Sequence, residues 1–164
     1  MRLKRWFFLL LLLCQGGAVQ ALCLPAVCTC TLQTSNVAFG NYNPLAFGNT
    51  DSTGSLKIDC GGVVGLLIPY SIGISTGGSG SYANRRMTQG ANTLNYNLYT
   101  DAAYTTVWGD GSGASLLKSA SVTLDVLGLA PAQNHWIYAR MPGRQLTAVP
   151  GTYTDTINVT LTYY

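Results

Sequence analysis

The amino-acid sequence predicts a single antiparallel β-sandwich. Outside residues 1–21, no stretch shows the 3.6-residue apolar stripe of an amphipathic helix. Instead, about seven short segments alternate apolar and polar residues, and turns rich in Gly and Pro separate them. The polar positions hold Thr, Ser and Asn, Glu is absent, and only 9% of the residues are charged. These features indicate an all-β fold in one domain.

Residues 1–21 have the pattern of a secretory signal peptide. A basic start precedes the short apolar run 6–14, and the small residues in 19–21 suit cleavage before Leu22. The apolar run is too short to favour a membrane span. A lipoprotein site at Cys14 is the alternative, but the residue before it is not small. We therefore expect an exported protein.

Removal of the leader changes the charge of the chain. The basic residues Arg2, Lys4 and Arg5 leave with it, so that the mature domain, residues 22–164, carries six basic residues and six Asp. A net charge near zero does not favour nucleic acid or anionic lipid as a partner. The basic character of the full chain therefore belongs to targeting.

The cysteine pattern indicates disulfides. The mature chain has four cysteines: Cys23, Cys28, Cys30 and Cys60. An even number in an exported chain implies disulfide bonds, with three possible pairings. We favour Cys30 with Cys60, because each adjoins a predicted strand, and that loop would contribute about 3–4 kcal/mol. Cys23 with Cys28 would then close a small loop. The spacing does not match a usual zinc site, so no metal is expected.

The first half of the mature chain predicts three strands. Residues 31–39 form the first, and the Gly, Asn and Pro of 40–44 mark a turn after it. Residues 55–60 and 66–75 alternate apolar and polar side chains. Pro69 lacks an N–H for a ladder, so the start of the third strand is expected at an edge or a bulge.

Three further strands are predicted at residues 93–100, 120–126 and 135–141. The Gly-rich stretch 77–81 lacks the Lys of a phosphate-binding loop, and no helix follows it, so we expect a surface loop. Residues 101–114 form a long connection. All of these connections suit an antiparallel sandwich.

Residues 151–164 are predicted to form the closing strand, on which we place the site of function. After a Pro-Gly turn this segment alternates without interruption. Its apolar face carries Ile157, Val159, Leu161 and Tyr163. No further strand follows in the sequence, so we expect this strand to present an open edge unless something covers it.

Catalytic groups are sparse. His135 lies in a predicted strand with no nucleophile pattern to support a triad, which is typical of a surface or rim position. Asp101 and Asp110 share a loop, where Asp more often stabilises turns than forms a carboxylate pair. Arg85 and Arg86 are adjacent, so in a strand they would point to opposite faces and would not bind one anion together. We expect neither an enzyme nor a cofactor.

A secreted binding module is the second hypothesis. Trp108, Trp136 and the ten Tyr residues could form an aromatic surface for carbohydrate, with exposed Tyr and Trp in loops between residues 77 and 110. Tyr is equally common in the cores and edges of sandwiches. This module would be a non-polymerising binding protein or an adhesin.

Several motifs occur together in a fixed order. They are Cys30-Thr31-Leu32, VAFGNYNP at 37–44, Arg86-Met87, LNYNLYTD at 94–101, WGDG at 108–111, YARMP at 138–142 and GTYTDT at 151–156. The order resembles the spore coat protein U domain family, over about residues 28–164. That family includes pilins of archaic chaperone–usher pili.

The resemblance implies an incomplete immunoglobulin-like sandwich that lacks its last strand. A periplasmic chaperone lends a strand to such a subunit, and the N-terminal segment of a neighbouring subunit replaces it at an outer-membrane usher. The apolar face of the closing strand would be the strand-addition interface. The resemblance also implies a surface fibre, or fimbrium, with a role in adhesion and biofilm formation.

The resemblance also extends to individual residues, because several family positions match residues of this sequence. The family disulfide falls on Cys30 and Cys60, and Phe39, Tyr96, Trp108 and Arg140 match family positions that we interpret as structural. The donor segment departs from the family pattern, because only residues 22–29 precede Cys30 in the mature chain. Leu22, Leu24 and Ala26 alternate there, but Pro25 and two cysteines interrupt them. Donation by this segment, and the position of the subunit in a fibre, therefore stay open.

Overall fold

The computed structural model describes residues 28–62, 67–124 and 131–163. The predicted signal peptide and the predicted donor residues Leu22, Leu24 and Ala26 lie outside this part of the chain. Within it, no helix is long and apolar enough to cross a membrane.

Eight strands make up the fold, and every pair of neighbouring strands is antiparallel. They are β1 (Cys28–Thr34), β2 (Thr50–Gly62), β3 (Leu67–Ile74), β4 (Arg85–Gln89), β5 (Asn92–Tyr99), β6 (Lys118–Thr123), β7 (Gln133–Met141) and β8 (Val159–Tyr163). A single turn of 3₁₀ helix, Gly77–Ser79, is the only helical element among the described residues. The prediction of an all-β fold is confirmed.

The strands form two sheets packed face to face. One sheet has five strands in the order β1-β2-β7-β5-β4, and the other has three in the order β6-β3-β8. Alternate residues of each strand point into the space between the sheets, as the period of a strand requires. Leu56 and Ile58 of β2 and Ile72 and Ile74 of β3 are almost completely buried there. This is the sandwich that the alternation predicts.

A disulfide joins the first two strands. Cys30 and Cys60 face each other in the register of β1 and β2, and the structure bonds them to one another, the pairing that the sequence favours. Cys28 is buried at the start of β1 and is also disulfide-bonded. Its predicted pairing with Cys23 stays a prediction, because Cys23 lies outside the described residues.

Two predicted strands are shorter in the structure, and the structure has one strand that the sequence does not predict. The first predicted strand, 31–39, ends as a strand at Thr34. The closing strand, predicted from residue 151, is regular only over β8, although Thr154 forms an isolated bridge with Thr88. The sequence does not predict the strand β4, because its residues, RRMTQ, are mostly polar. A buried arginine replaces the apolar residue that alternation would require at its start.

Another boundary also differs. The strand β2 begins at Thr50 rather than at residue 55, because its polar first half pairs with the end of β7. Polar residues can therefore occupy a strand when the neighbouring strand supplies the hydrogen bonds.

Pro69 lies where β3 pairs with β6, one residue before the pairing of β3 with β8 begins. Its missing N–H therefore breaks no ladder between β3 and β8.

Candidate functional site

An apolar cavity of about 460 Å³ opens beside β8, where the three-stranded sheet covers only part of the five-stranded one. One wall consists of residues 34–39 and the other of residues from 153 to 159. The floor is the inner face of the larger sheet, with side chains from four of its strands: Leu56, Met87, Tyr96, Leu98 and Ile137. The sandwich therefore has a gap beside β8.

A second cavity of about 640 Å³ continues the first. The two share lining residues: Val37, Ala38, Phe39, Met87 and Tyr153. The second cavity extends along residues 40–44 and 148–152, over the side chains of Leu94 and Met141. We call the two cavities together the groove.

The edge of β8 that faces the groove is open. Ser75 donates its N–H to the Asn158 carbonyl (2.9 Å), and the Asn158 N–H donates to the Ser75 hydroxyl (2.9 Å). The backbone groups of Asn158 therefore face β3. Backbone groups of successive residues alternate in direction, so those of Ile157, Val159 and Leu161 point away from β3. The Ile74 N–H follows the same alternation. It points away from β8 and donates to the Gly109 carbonyl (3.2 Å). Among the described strands, β8 pairs only with β3.

The predicted interface residues all lie on this final segment. Ile157, Val159, Leu161 and Tyr163 are each half-buried and packed against the core. Ile157 and Val159 line the first cavity, whereas Leu161 and Tyr163 pack further along β8, opposite Ile72 and Tyr70. The structure thus brings all four to one side of the final segment, three of them on β8, and sets Ile157 and Val159 in the wall of the groove.

The opposite wall is attached to β2 on one side. Ser35 donates its N–H to the Ser55 carbonyl (2.9 Å), and the Ser52 hydroxyl donates to the Ala38 carbonyl (2.7 Å). Gly54 allows this close approach, because a Cβ at that position would lie 2.8 Å from Cγ2 of Val37. On its other side this wall faces the groove.

A polar cluster at Asp155 lies at the edge of the first cavity. The Asp155 carboxylate accepts hydrogen bonds from the Gly78 N–H (2.9 Å), the Thr156 N–H (2.9 Å) and the Tyr96 hydroxyl (2.7 Å). Burial raises the pKa of the Tyr96 phenol, and the neighbouring Asp155 raises it further, so the phenol stays protonated and donates. This cluster holds residue 155 in place between the two sheets.

Arg85 is a structural residue that the sequence does not reveal. Its guanidinium is completely buried and donates to the carbonyls of Ser75 (2.8 and 3.1 Å) and Trp108 (2.7 Å) and to the Asn97 side chain (2.7 Å). Burial lowers its pKa. Arg86 is exposed on the other face, so the two arginines do not form one anion site. No spacing signal marks Arg85, because a buried arginine looks like a surface residue in a sequence.

The aromatic residues do not assemble around Trp108. That side chain is completely buried and donates from its ring N–H to the Ile72 carbonyl (3.0 Å). Tyr82 is also buried. Trp136 is 58% exposed, but it lies on β7 and not in the predicted loops. The expectation of exposed aromatic residues at these two loop positions is wrong, because both side chains fill the interior.

The other candidate residues make structural contacts. The Tyr70 hydroxyl and Nε2 of His135 lie 2.7 Å apart, and burial lowers the pKa of His135. The carboxylates of Asp101 and Asp110 each bind hydroxyl and N–H groups of their own loops. Arg140 forms a two-point ion pair with Asp51 (2.7 and 2.8 Å).

Two positions carried over from the family also make packing contacts. Phe39 and Tyr96 meet edge to face, with 5.9 Å between their ring centres. In the part of the chain that the structure describes, no three His, Cys, Asp or Glu residues cluster as metal ligands would.

Comparisons with known proteins agree with this geometry. The family model for the Spore Coat Protein U domain matches residues 17–160. The crystal structure of the CsuC–CsuE chaperone–tip adhesion subunit pre-assembly complex, from archaic chaperone–usher Csu pili of Acinetobacter baumannii, has a similar fold, with a TM-score of 0.56 at 21% identity. The match covers 82% of this chain and 40% of that one, so this chain spans less than half of the solved chain. No curated protein matches the sequence.

Proposed function

We propose that this chain, which belongs to the Spore Coat Protein U domain family, is a structural subunit of a surface fibre and accepts a strand from another protein in its groove. The observation that carries this proposal is the open β8 edge beside an apolar gap. The role is one of assembly, and adhesion and biofilm formation would follow from the fibre. No catalytic step is assigned to the chain.

An extended segment fits the groove for two physical reasons. The open edge of β8 offers backbone groups for a ladder, and the floor offers apolar contacts to every second side chain of an entering strand. Burying one large apolar side chain contributes about 1.5–3 kcal/mol. A strand with three such side chains would therefore stabilise the subunit considerably.

The proposed partners are a periplasmic chaperone, an outer-membrane usher and neighbouring subunits. The solved structure of similar fold is a chaperone–subunit pre-assembly complex, and we extend that arrangement to this chain by proposal. The chain would pass through the periplasm and reach the cell surface. Its signal peptide is assigned to residues 1–21, and its domain to residues 22–164.

Part of the predicted donor segment already belongs to a strand of this chain. We propose Leu22, Leu24 and Ala26 as the residues that would enter a neighbour's groove. The last two residues of the predicted donor segment, Cys28 and Thr29, already belong to β1, where they pair with Gly62 and Gly61 of β2. Donation would therefore depend on the residues before Cys28.

The experiment compares two fusion proteins. In the donor fusion, a flexible Gly/Ser linker joins the C-terminus to a nine-residue strand in which Thr alternates with Val, Ile or Leu. The shuffled fusion has the same composition without alternation. We expect the donor fusion to unfold about 10 °C or more above the shuffled one. Equal unfolding temperatures would rule out an acceptor groove.

A binding module is the second candidate function, and exposed apolar side chains at one end of the sandwich favour it. Leu45 and Phe47 are 73% and 80% exposed, and the Arg144 guanidinium lies 4.5 Å from the ring centre of Phe47. If this end binds a surface directly, Leu45→Ser with Phe47→Ser should abolish adhesion of the purified domain to an apolar surface while its unfolding temperature stays unchanged. Unaltered adhesion would count against this candidate.

A further inference from the structure

Two cysteines of β1 lie on the face of the strand from which Cys60 is bonded. Cys28 and Cys30 are two residues apart, so their side chains point to the same side of β1. Cys28 and Cys60 are buried, and Cys30 is half-buried. In the structure Cys60 is bonded to Cys30, and Cys28 belongs to another disulfide. Cys28 is therefore a second candidate partner for Cys60.

The present register of β1 and β2 does not allow a bond between Cys28 and Cys60. Cys28 faces Gly62, two positions beyond Cys60. Diagonal neighbours of this kind in an antiparallel pair have Cα atoms about 7–8 Å apart. Two cysteines with Cα atoms more than about 7 Å apart cannot be bridged unless the backbone moves. A bond between Cys28 and Cys60 therefore requires a different register.

A slip of β1 by two residues supplies that register at little structural cost. Side chains and backbone groups both alternate with a period of two, so a two-residue slip keeps the inner residues inside and preserves the ladder pattern. Among the described strands β1 pairs with β2 alone, so no second ladder has to break. The connection to β2, residues 35–49, would take up the two displaced residues.

We infer that the chain has a second oxidised form, in which Cys28 is bonded to Cys60 and β1 is shifted by two residues along β2. In that form Leu32 would face Leu56, whereas it now faces Ile58. The partner that this chemistry requires is a thiol–disulfide isomerase, which converts one form into the other. The site of the conversion is the cluster of the three cysteines.

The conversion is a thiol–disulfide exchange with no net oxidation. A thiolate of the isomerase attacks Sγ of Cys30 and breaks the bond to Cys60, whose sulfur leaves as a thiolate. The Cys60 thiolate attacks Sγ of Cys28 and displaces the present partner of Cys28, again as a thiolate. That thiolate attacks Sγ of Cys30 in the mixed disulfide and releases the thiolate of the isomerase. Two disulfides are present before and after.

The second form would displace the wall of the groove that follows β1. A slip of two residues corresponds to about 7 Å of strand, so Val37 would move to the place that Phe39 now occupies. Phe39 would lose its edge-to-face contact with Tyr96, whose ring lies in the floor of the groove. The disulfide pairing would thus control the shape of the groove, and this consequence for strand binding rests on the proposed function.

Two variants that each keep two cysteines in the mature chain test the inference. Cys23→Ser with Cys30→Ser leaves Cys28 for Cys60, and we call it the shifted variant. Cys23→Ser with Cys28→Ser leaves the present pair, and this reference variant is the matched control. Both are oxidised in a glutathione redox buffer, and peptide mapping then identifies the bond. We expect each variant to fold with a complete disulfide.

Cross-strand nuclear Overhauser effects between backbone protons read the register. We expect them to place Leu32 opposite Leu56 in the shifted variant and opposite Ile58 in the reference variant. A shifted variant that is unfolded, or that stays reduced, overturns the inference, because β1 then has no second register. A bonded shifted variant with Leu32 still opposite Ile58 also overturns it.

Oxidative refolding of the unsubstituted mature chain provides a second measurement. We expect peptide mapping to find a fraction with Cys28 bonded to Cys60. Addition of a purified disulfide isomerase should lower that fraction about tenfold or more, the effect that burial of one apolar side chain has on an equilibrium. If the bond never forms, or if the isomerase leaves the fraction unchanged, the proposed exchange is refuted.

The effect on the groove is measured by joining the donor and shuffled strands to both variants. We expect the reference variant to keep the difference of about 10 °C or more between its two fusions, and the shifted variant to lose most of it. An equal difference in both variants refutes control of the groove by the disulfide. No difference in either variant refutes the proposed function, while the mapped bond and the register still decide the inference.

Discussion

β1 and β8 both lie at the edge of a sheet, but they are held differently. β1 pairs with β2 over all seven of its residues, and a disulfide between Cys30 and Cys60 crosses the same pair. β8 pairs with β3 over five residues and borders an apolar gap on its other side.

At both edges, the regular strand covers the residues that pair with a neighbouring strand. Every residue of β1 pairs with β2, so β1 is regular along its whole length. The residues before β8 alternate equally well but remain irregular. An unpaired edge with an apolar face is unfavourable in water, which is the physical reason to expect a partner.

Removing the disulfide between β1 and β2 should have the largest effect on stability. The bond links residues 30 positions apart, so the double substitution Cys30→Ser with Cys60→Ser should lower the free energy of unfolding by about 3–4 kcal/mol in the chain-entropy model. Urea denaturation measures this. A loss below about 1 kcal/mol would show that β1 is held by its ladder alone.

A pair of truncations compares the floor of the groove with its wall. Leu56→Ala, at a fully buried position, should cost about 3 kcal/mol in both the unfused chain and the donor fusion. Val159→Ala should cost less than about 1 kcal/mol unfused and about 2 kcal/mol in the donor fusion, because the entering strand buries Val159 completely. Equal costs of Val159→Ala in the two proteins would contradict burial by a donor.

The polar cluster at Asp155 should contribute less. Tyr96→Phe removes the hydroxyl bonded to the carboxylate and should cost about 1–2 kcal/mol in chemical denaturation. Tyr153→Phe is the matched control, because the hydroxyl of Tyr153 binds the exposed backbone of Val149 and its loss should cost less. The reverse order would show that Asp155 does not anchor this wall.

Acid should produce the smallest effect, through His135. Burial lowers its pKa in the folded state below the unfolded value of about 6.5, so the neutral ring is favoured by folding. The resulting stability is present above about pH 6.5 and is lost as the pH falls, by at most about 1.4 kcal/mol per pH unit. Its charged neighbour Lys118 acts in the same direction.

The substitution His135→Gln should flatten this pH dependence between pH 7 and pH 5. Denaturation curves of the two proteins at matched pH values measure the difference. A pH dependence that is unchanged by the substitution would assign the acid sensitivity to other groups.

Much of the fold could be predicted from the sequence, and the failures have physical causes. The strands β3, β5 and β7 are found because their apolar residues alternate and because both of their neighbours are in the chain. The favoured Cys30–Cys60 pair follows from the predicted strands that correspond to β1 and β2. In contrast, β4 begins with a buried arginine that donates hydrogen bonds to carbonyls distant in the sequence, and no local pattern encodes such partners.

The site could be predicted only in part. The alternating face of Ile157 and Val159 was visible, but the groove depends on which sheet lacks a strand, and that follows only from the arrangement of all eight strands. The irregular walls could not be foreseen, because periodicity records what a segment can pair with and not whether the partner is present.

Locating the donor strand in the donor fusion by NMR tests the acceptor groove most directly. The measurement is the set of cross-strand nuclear Overhauser effects between backbone protons of the donor and those of the domain. We predict contacts to Val159 and Leu161 of β8 on one side and to residues 35–39 on the other. Contacts to β1, β4 or β6, the other sheet edges, without contacts to β8 would contradict the claim that the groove is the acceptor site.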